Sequence, residues 1–290
     1  GGFPPVAGPD PVRPGRAGRL GLVLAGAVAA IVCTVFAAVV VLQSTTGRDR
    51  RVETRVLPAS ITRLVVDGGG SDVFLYGPGE TAVEGVRLPA GATTSTSATP
   101  PAIEVVARLA GFVRLPTLDT RVDGDTVRVS RRCRPFWDCS ATLYLRVPAG
   151  VRVDADTSEG SIAAAGLDGP VRLHATGGDV TVDRPGGDLE ATSSAGDVHI
   201  ADSHAQRVDA STSAGDVFLD AATAPDDITL HTAAGSVEVY LPPDAPSYHT
   251  DLHTSAGTRD VSIGRDPHAP RRLSASTFAG DITVGYRDGS

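Results

Sequence analysis

Three aspartates recur at nearly regular spacing, and their type and pattern fit a set of metal ligands. Asp179, Asp197 and Asp216 each follow a glycine and are separated by 18 and 19 residues. If successive repeats stack, the carboxylates form an acidic column, and a hard cation such as Ca²⁺ would relieve their repulsion. Turn aspartates also accept hydrogen bonds from nearby backbone amides. The turn interpretation is favoured, and cation binding by the column is kept as the alternative.

Two cysteines and two aromatic residues form a second candidate site. Cys133 and Cys139 enclose Phe136 and Trp137, the only tryptophan of the chain. Two thiols without a neighbouring histidine are too few for a metal centre, so we predict a short disulfide loop. Its loop entropy would contribute about 2 kcal/mol. The aromatic pair could bind a protein or a glycan, or it could plug the flank or end of a stack of repeats, and the plug is favoured.

No residue pattern in the sequence indicates catalysis. We find no nucleophile elbow, phosphate-binding loop or metalloprotease motif, and we therefore predict no catalytic residue, no metal and no cofactor. His174, His231 and His253 share one repeat position. The two repeats after His174 carry hydroxyl residues at that position, so only His231 and His253 could be neighbours. Three converging ligands are therefore not expected.

The acidic charge of the chain limits which partners it could bind. Residues 151–290 carry 22 acidic side chains and 9 arginines, and the whole chain has a net charge of −8. Such a surface would repel an anionic polysaccharide, which is the substrate of known β-helix lyases, and it argues against nucleic acid as a partner.

The aspartates belong to a repeat that fills the second half of the chain. Each repeat has a glycine in a common frame, and six of the seven copies have apolar residues two and four positions after it and five and seven positions before it. The repeat glycines are Gly160, Gly178, Gly196, Gly215, Gly235, Gly257 and Gly280. This alternation predicts strand, tight glycine turn and strand, with one face buried. In the Gly257 copy, two extra residues are expected before Asp260 and Val261.

The identical frame favours stacking of equivalent strands over a meander of hairpins. Stacked strands would repeat about every 4.8 Å and hide slim aliphatic rows between two sheets. Small inward residues would explain why only 4% of the chain is aromatic. We therefore predict an all-β fold, a single β-solenoid of stacked 18–23-residue coils in two sheets, preceded by one transmembrane α-helix.

One uncharged segment decides the predicted location. Residues 20–42 form a stretch of 23 residues without a charge, which as a helix would span roughly 34 Å, enough for a bilayer core. Arginines stand on both sides of it, so charge does not settle the orientation. Disulfides persist outside the cytosol, and the predicted Cys133–Cys139 bond therefore places the C-terminal part outside.

The resulting plan has four parts. Residues 1–19 are predicted to be a disordered cytoplasmic tail, 20–42 a single membrane span, 43–59 a stalk and 60–288 an extracytoplasmic solenoid at the cell membrane. Residues 90–101 are predicted to be a low-complexity loop within the solenoid.

Three features together resemble a known family. They are the apolar span, the cysteine pair before Val147-Pro148-Ala149-Gly150-Val151, and the repeated Thr-Ser-Ala-Gly-Asp-Val frame. They resemble the bacterial "putative adhesin" β-strand-repeat family, a domain of unknown function, over residues 60–288. The resemblance implies a membrane-anchored β-solenoid at the cell envelope with no established catalytic residues, so no site residue is transferred.

The functional expectation is a non-enzymatic binding, adhesion or envelope-scaffold surface. A glycan-acting β-helix enzyme and an envelope-stress regulatory protein acting through residues 1–19 are the alternatives. The expected partners are the membrane, crossed once, and an envelope protein or glycan. Self-association could use edge strands, which are expected near Leu64 or Tyr286.

Overall fold

The computed structural model describes residues 49–57, 61–83, 86–87, 103–111, 115–133 and 139–287. The predicted cytoplasmic tail, the predicted membrane span and the predicted loop at 90–101 lie outside these ranges. Within the ranges, no helix has the length and apolar character needed to cross a membrane.

The described residues form 23 strands and no helix. The first nine are β1 (Asp49–Leu57), β2 (Arg63–Gly69), β3 (Asp72–Tyr76), β4 (Ala82–Val83), β5 (Val86–Arg87), β6 (Ile103–Gly111), β7 (Thr117–Asp123), β8 (Thr126–Arg132) and β9 (Cys139–Arg146). The others are β10 (Arg152–Thr157), β11 (Ile162–Ala165), β12 (Val171–Ala175), β13 (Val180–Asp183), β14 (Leu189–Ala195), β15 (Val198–Ser203), β16 (Arg207–Ala214), β17 (Val217–Ala221), β18 (Asp227–Ala234), β19 (Val237–Leu241), β20 (His249–Ala256), β21 (Arg259–Val261), β22 (Arg272–Ala279) and β23 (Ile282–Tyr286). The all-β prediction is confirmed.

The strands assemble into two large sheets. Sheet A has the order β1-β6-β9-β3-β11-β13-β15-β17-β19-β23-β21, and sheet B has the order β20-β22-β18-β16-β14-β12-β10-β2-β8-β7. Each coil gives one strand to sheet B and the next strand to sheet A, and equivalent strands of neighbouring coils are parallel. The predicted stack of coils in two sheets is therefore confirmed, and the meander of hairpins is not found in the repeat segment.

The register within the stack follows the glycine frame. In sheet B, one inward ladder runs through Val153, Val171, Leu189, Val208, Ile228 and Leu273. In sheet A, the facing ladder runs through Ile162, Val180, Val198, Val217, Val237 and Ile282. These residues are at most 3% exposed, so the core consists of continuous aliphatic rows. Burial of such rows is the main stabilising contribution to the stack.

The coil order in space departs from the coil order in sequence at both ends of the stack. The β2–β3 coil lies between β8–β9 and β10–β11, and the β22–β23 coil lies between β18–β19 and β20–β21. Leu64 in β2 and Tyr286 in β23 are therefore in interior strands, and the expectation that they mark edge strands was wrong. The edge strands are β1, β7, β20 and β21. Equivalent coils present similar pairing surfaces, so the repeat pattern alone does not define their spatial order.

Part of the segment interpreted as a stalk belongs to the fold. Residues 49–57 form β1, which pairs antiparallel with β6 along its whole length. Leu57 at its end is buried in the core, whereas Val52 and Val56 are exposed. The arginines of β1, which are Arg50, Arg51 and Arg55, lie on an edge strand with access to water, where charge is tolerated and discourages further pairing.

Glycine is required where consecutive coils turn from sheet B to sheet A. A Cβ on Gly235 would overlap the carbonyl oxygen of Gly215 in the adjacent coil, and Gly235 has a φ of +149°. The hydroxyl three residues before the glycine donates to a turn carbonyl, as Thr232 Oγ1 does to Gly215 O at 2.8 Å. This hydrogen bond therefore ties the turn of one coil to the turn of the neighbouring coil.

Candidate functional site

The predicted acidic column exists, and it is a ladder of hydrogen bonds between coils. The backbone N–H of Asp197 donates to Asp179 Oδ1 at 2.9 Å, and that of Asp216 donates to Asp197 Oδ1 at 2.8 Å. The ladder continues through Ser236, whose N–H donates to Asp216 Oδ1 at 2.7 Å. Each carboxylate thus satisfies an amide of the next coil at a position where the backbone turns away from both sheets.

Hydroxyl residues occupy the same ladder positions as the aspartates. Ser161 Oγ accepts from the N–H of Asp179 at 3.2 Å, and Ser236 Oγ accepts from that of Asp281 at 3.3 Å. The requirement is therefore for a short side-chain acceptor, which explains why the position after the glycine is aspartate or serine in most copies.

The ladder geometry supports the turn interpretation of the aspartates. Among the described residues, no group of three or more His, Cys, Asp or Glu side chains could hold a metal ion. Cation binding by Asp179, Asp197 and Asp216 stays a prediction. Further along the column, hydrogen bonds from the Thr258 N–H and hydroxyl hold the pKa of Asp281 below its ordinary value.

The cysteine site is only partly within the described residues. Cys133 follows β8 and Cys139 begins β9, two strands that belong to different sheets. Residues 134–138, which include Phe136 and Trp137, and the Cys139 side chain lie outside the described residues. The disulfide, the binding tip and the plug therefore remain predictions.

The histidines share a ladder, but the expected neighbours are separated. Ser276 of the inserted β22 lies between His231 and His253. His231 Nδ1 is 2.8 Å from Ser276 Oγ, and His174 is farther along the same ladder. The idea that His231 and His253 could be neighbours was wrong, because the C-terminal coil occupies the place between them.

The outer face of sheet A carries an aromatic row that sequence reasoning missed. His199, Phe218 and Tyr240 lie on β15, β17 and β19, three adjacent strands. The rings of His199 and Phe218 stack with centroids 4.5 Å apart and planes 7° apart, and Tyr240 follows at 5.8 Å from Phe218 with a tilt of 46°. The available signal was the outward position three residues after the glycine, which His199 and Phe218 occupy in successive coils, whereas Tyr240 lies two positions further along its strand.

The setting of the row makes it a candidate binding surface. The rings of His199 and Phe218 stack face to face along the axis of the coil stack, so their edges point to solvent. The side chains of Phe218 and Tyr240 are partly exposed. Glu238 on β19 is the register partner of Phe218, and Thr181 on β13 is the register partner of His199. Ring edges carry partial positive charge and attract oxygen atoms, while the neighbouring carboxylate and hydroxyl can exchange hydrogen bonds with a ligand.

An arginine that directly follows the last strand, Arg287, forms ion pairs at the side of this face. Arg287 Nε is 2.8 Å from Asp220 Oδ1, and Arg287 Nη1 is 3.2 Å from Asp202 Oδ1. Burial raises the pKa of Asp220 above its ordinary value, and the Arg287 guanidinium opposes that change. The C-terminal coil therefore fastens the coils that carry His199 and Phe218.

The outer face of sheet B has a different chemistry, dominated by ion pairs. Arg172 Nη2 contacts Glu190 Oε2 at 2.6 Å, and Arg207 Nη1 contacts Asp188 Oδ2 at 3.1 Å. With Asp209, these side chains line a shallow groove of about 250 Å³. Partial burial and then the neighbouring Glu190 raise the pKa of Asp209. Glu190 and Asp209 are cross-strand neighbours, so the groove contains a pair of carboxylates in unlike environments.

Comparison with known proteins identifies the repeat segment. Residues 152–284, from β10 into β23, match the family described as Toastrack DUF4097. The repeat segment is therefore similar to the Toastrack DUF4097 family, and the predicted resemblance to a "putative adhesin"-type repeat family of unknown function is confirmed. No curated protein matches the sequence.

Solved structures with the same kind of description are also similar. A "putative cell adhesion protein" from Clostridium sporogenes ATCC 15579 has 9% identity and a TM-score of 0.32, covering 82% of this chain and 100% of that chain. A "putative adhesin" from Bacteroides fragilis NCTC 9343 has 12% identity and a TM-score of 0.42, covering 82% and 98%. A "putative adhesin" from Parabacteroides distasonis ATCC 8503 has 12% identity and a TM-score of 0.41, covering 83% and 98%.

Proposed function

We propose that this protein is a non-enzymatic binding module that displays the outer face of sheet A to a polymer of the cell envelope, in adhesion or as a scaffold. The observation that carries the proposal is the row His199, Phe218 and Tyr240 on adjacent parallel strands. A solenoid holds such a row at fixed spacing of about 4.8 Å per strand, which suits an extended partner.

The charge of the domain selects the chemistry of the partner. Residues 151–290 carry 22 acidic residues against 9 arginines, so an anionic polymer would be repelled. The ring edges favour oxygen atoms, and Glu238 can accept hydrogen bonds from hydroxyl groups. A hydroxyl-rich glycan without net negative charge fits both properties, and an envelope protein with a polar surface is the other partner class.

The proposed location follows from the sequence. A span at 20–42 would anchor the domain in the cell membrane by a single pass, with the solenoid on the extracytoplasmic side. A disulfide between Cys133 and Cys139 would be stable in that compartment. A rigid binding face outside an anchored chain is suited to holding an envelope polymer close to the membrane.

Co-sedimentation of the full chain with purified insoluble cell-wall glycan tests this function. Phe218→Ala should reduce the bound fraction about tenfold, because aromatic anchors dominate such surfaces. Phe278→Ala is the matched control, because Phe278 is 68% exposed and lies outside the row. Wild-type protein that remains in the supernatant, or equal losses in the two variants, would contradict the proposal.

The carboxylate pair on sheet B supports a second candidate function, a glycan-acting enzyme. Arg172 donates two hydrogen bonds to Glu190 Oε2, whereas burial raises the pKa of Asp209, so the two neighbouring carboxyl groups lie in unlike environments, as the acid and base of a glycan-cleaving site do. Release of reducing sugar from cell-wall glycan that is lost in Glu190→Gln and Asp209→Asn would support it. Absence of release by wild-type protein that binds the same glycan would exclude hydrolysis of that polymer.

A further inference from the structure

The end of the stack formed by β20 and β21 is open along β20 itself, whereas Tyr248, just before β20, already pairs with residues 264–266 of the same chain. Each of these strands is paired on one side only, and the space between them is a cavity of about 630 Å³. Thr250 and Leu252 of β20 and Val261 of β21 line it. Such an end offers unpaired backbone groups in both sheets at once, which is a template for pairing with another chain.

The backbone groups that face the opening can be assigned. The N–H of His249 donates to Arg271 O, so odd-numbered residues of β20 point to β22 and even-numbered residues, including Leu252, point to the opening. In β21, the N–H of Ser262 donates to Val284 O, so Val261 and Arg259 point to the opening.

Arg259 occupies an inward position of this terminal coil. It pairs with Ile282 of β23, whose row from β11 to β23 consists of valine and isoleucine. The expected two-residue insertion before Asp260 and Val261 is therefore absent, and the arginine takes an apolar position instead. Arg259 Nη1 donates to Leu252 O at 3.0 Å, so the side chain crosses from sheet A to the exposed edge of sheet B.

We propose that Arg259 is a guard residue that prevents two copies of this chain from joining end to end at β20 and β21. An arginine at an inward position of an edge strand places its charge where the apolar core of an added second copy would lie. It also occupies the Leu252 carbonyl that the partner strand would need.

The blocked assembly has a defined geometry. Leu252 is five residues before Gly257 and Val261 is four after it, and both pack against the core, so they face each other across it. A two-fold axis through these residues would pair β20 and β21 antiparallel with the same strands of a second copy. In β20, Leu252 would meet Leu252 of the second copy, and Asp251 would stand opposite its His253, where the two polar side chains are cross-strand neighbours.

The same axis explains the effect of Arg259. In β21, Arg259 would fall opposite Ile263 of the second copy, inside the joined core. A guanidinium without a charged partner there is strongly unfavourable, so the wild-type residue opposes association. Valine at this position would match the rows of the interior coils and remove the obstacle.

The test compares the mass of the full chain and its variants over a range of concentrations. Arg259→Val should associate at about tenfold lower concentration than wild type or less. Arg259→Lys should remain like wild type because the charge is retained. Arg265→Val is the matched control, since Arg265 lines the same cavity but does not bond to Leu252. Association of Arg259→Val no stronger than that of Arg265→Val would overturn the proposal, as would wild-type protein that already joins through this end.

Cysteine substitution identifies the surface used. In the Arg259→Val background, Leu252→Cys should form a disulfide between copies because the residue lies on the axis. Thr250→Cys should not, because its counterpart across the axis is Thr254. Equal crosslinking of the two variants would show association through another surface and would overturn the assigned geometry. Unchanged circular dichroism confirms that each variant is folded.

Discussion

The side chain of Asp179 accepts the backbone N–H of Asp197 in the next coil at 2.9 Å. This bond repeats along the corner between the sheets and places each carboxylate about one strand spacing from the next. Repulsion between the charges is the cost of the arrangement, and satisfaction of otherwise unpaired turn amides offsets it.

Substitution at Asp197 measures that balance. Asp197→Ala should destabilise the protein by about 1–2 kcal/mol, because the amide of Asp216 loses a charged acceptor. Asp197→Ser should cost less than half as much, since serine fills this role at Ser161 and Ser236. Urea unfolding provides the measurement, and equal losses in the two variants would contradict the ladder as a stabilising element.

Substitution of turn glycines by alanine should reduce the stability of the protein by very different amounts at different turns. Gly235→Ala places a Cβ against the Gly215 carbonyl at a positive φ, and we expect a loss of at least about 3 kcal/mol. Gly186→Ala is the control, because its Cβ would make ordinary contact with Asp168 and its φ is not in the left-handed region. We expect a change within about 1 kcal/mol there. Thermal unfolding of both variants should separate them, and similar melting temperatures would show that the corner is not tightly packed.

Two aspartates should give the stability opposite pH dependences. The pKa of Asp281 is lowered in the fold by hydrogen bonds from Thr258, so its stabilising effect is present above its unfolded pKa and is lost as pH falls through the folded pKa. The pKa of Asp209 is raised by burial and by Glu190, so ionisation of Asp209 destabilises the fold as pH rises through its unfolded pKa.

The pH prediction is tested with the amide variants. Asp281→Asn should remove part of the acid sensitivity below about pH 4, and Asp209→Asn should raise the free energy of unfolding at pH 7. Denaturant midpoints from pH 3 to pH 7 provide the measurement. A loss of stability at pH 7 in Asp209→Asn would contradict the assigned sign.

The repeat frame was sufficient to predict the inward rows and their register. Val171 pairs with Leu189, and Val180 with Val198, as the glycine alignment requires. This success has a simple cause: a period-two pattern and an invariant turn together leave one register in which apolar side chains meet.

Other features depended on tertiary information. The insertion of β22 between β18 and β20 joins coils with similar pairing surfaces, so no local pattern specifies it. Arg259 breaks the apolar pattern at a position that is tolerated only because it is terminal. In the row of His199, Phe218 and Tyr240, the register aligns only His199 with Phe218, and Tyr240 contacts Phe218 diagonally, because the register partner of Phe218 is Glu238.

The C-terminal β22–β23 coil lies inside the stack, between the β18–β19 coil and the terminal β20–β21 coil. Two double-cysteine variants test it under mild oxidation. Ser276→Cys with His253→Cys should crosslink within one chain, because these residues are register partners on adjacent strands about 4.8 Å apart. His231→Cys with His253→Cys should not, because Ser276 separates them and two strand spacings exceed the reach of a disulfide. Efficient crosslinking of the second pair and none of the first would show coils stacked in sequence order and would contradict the account.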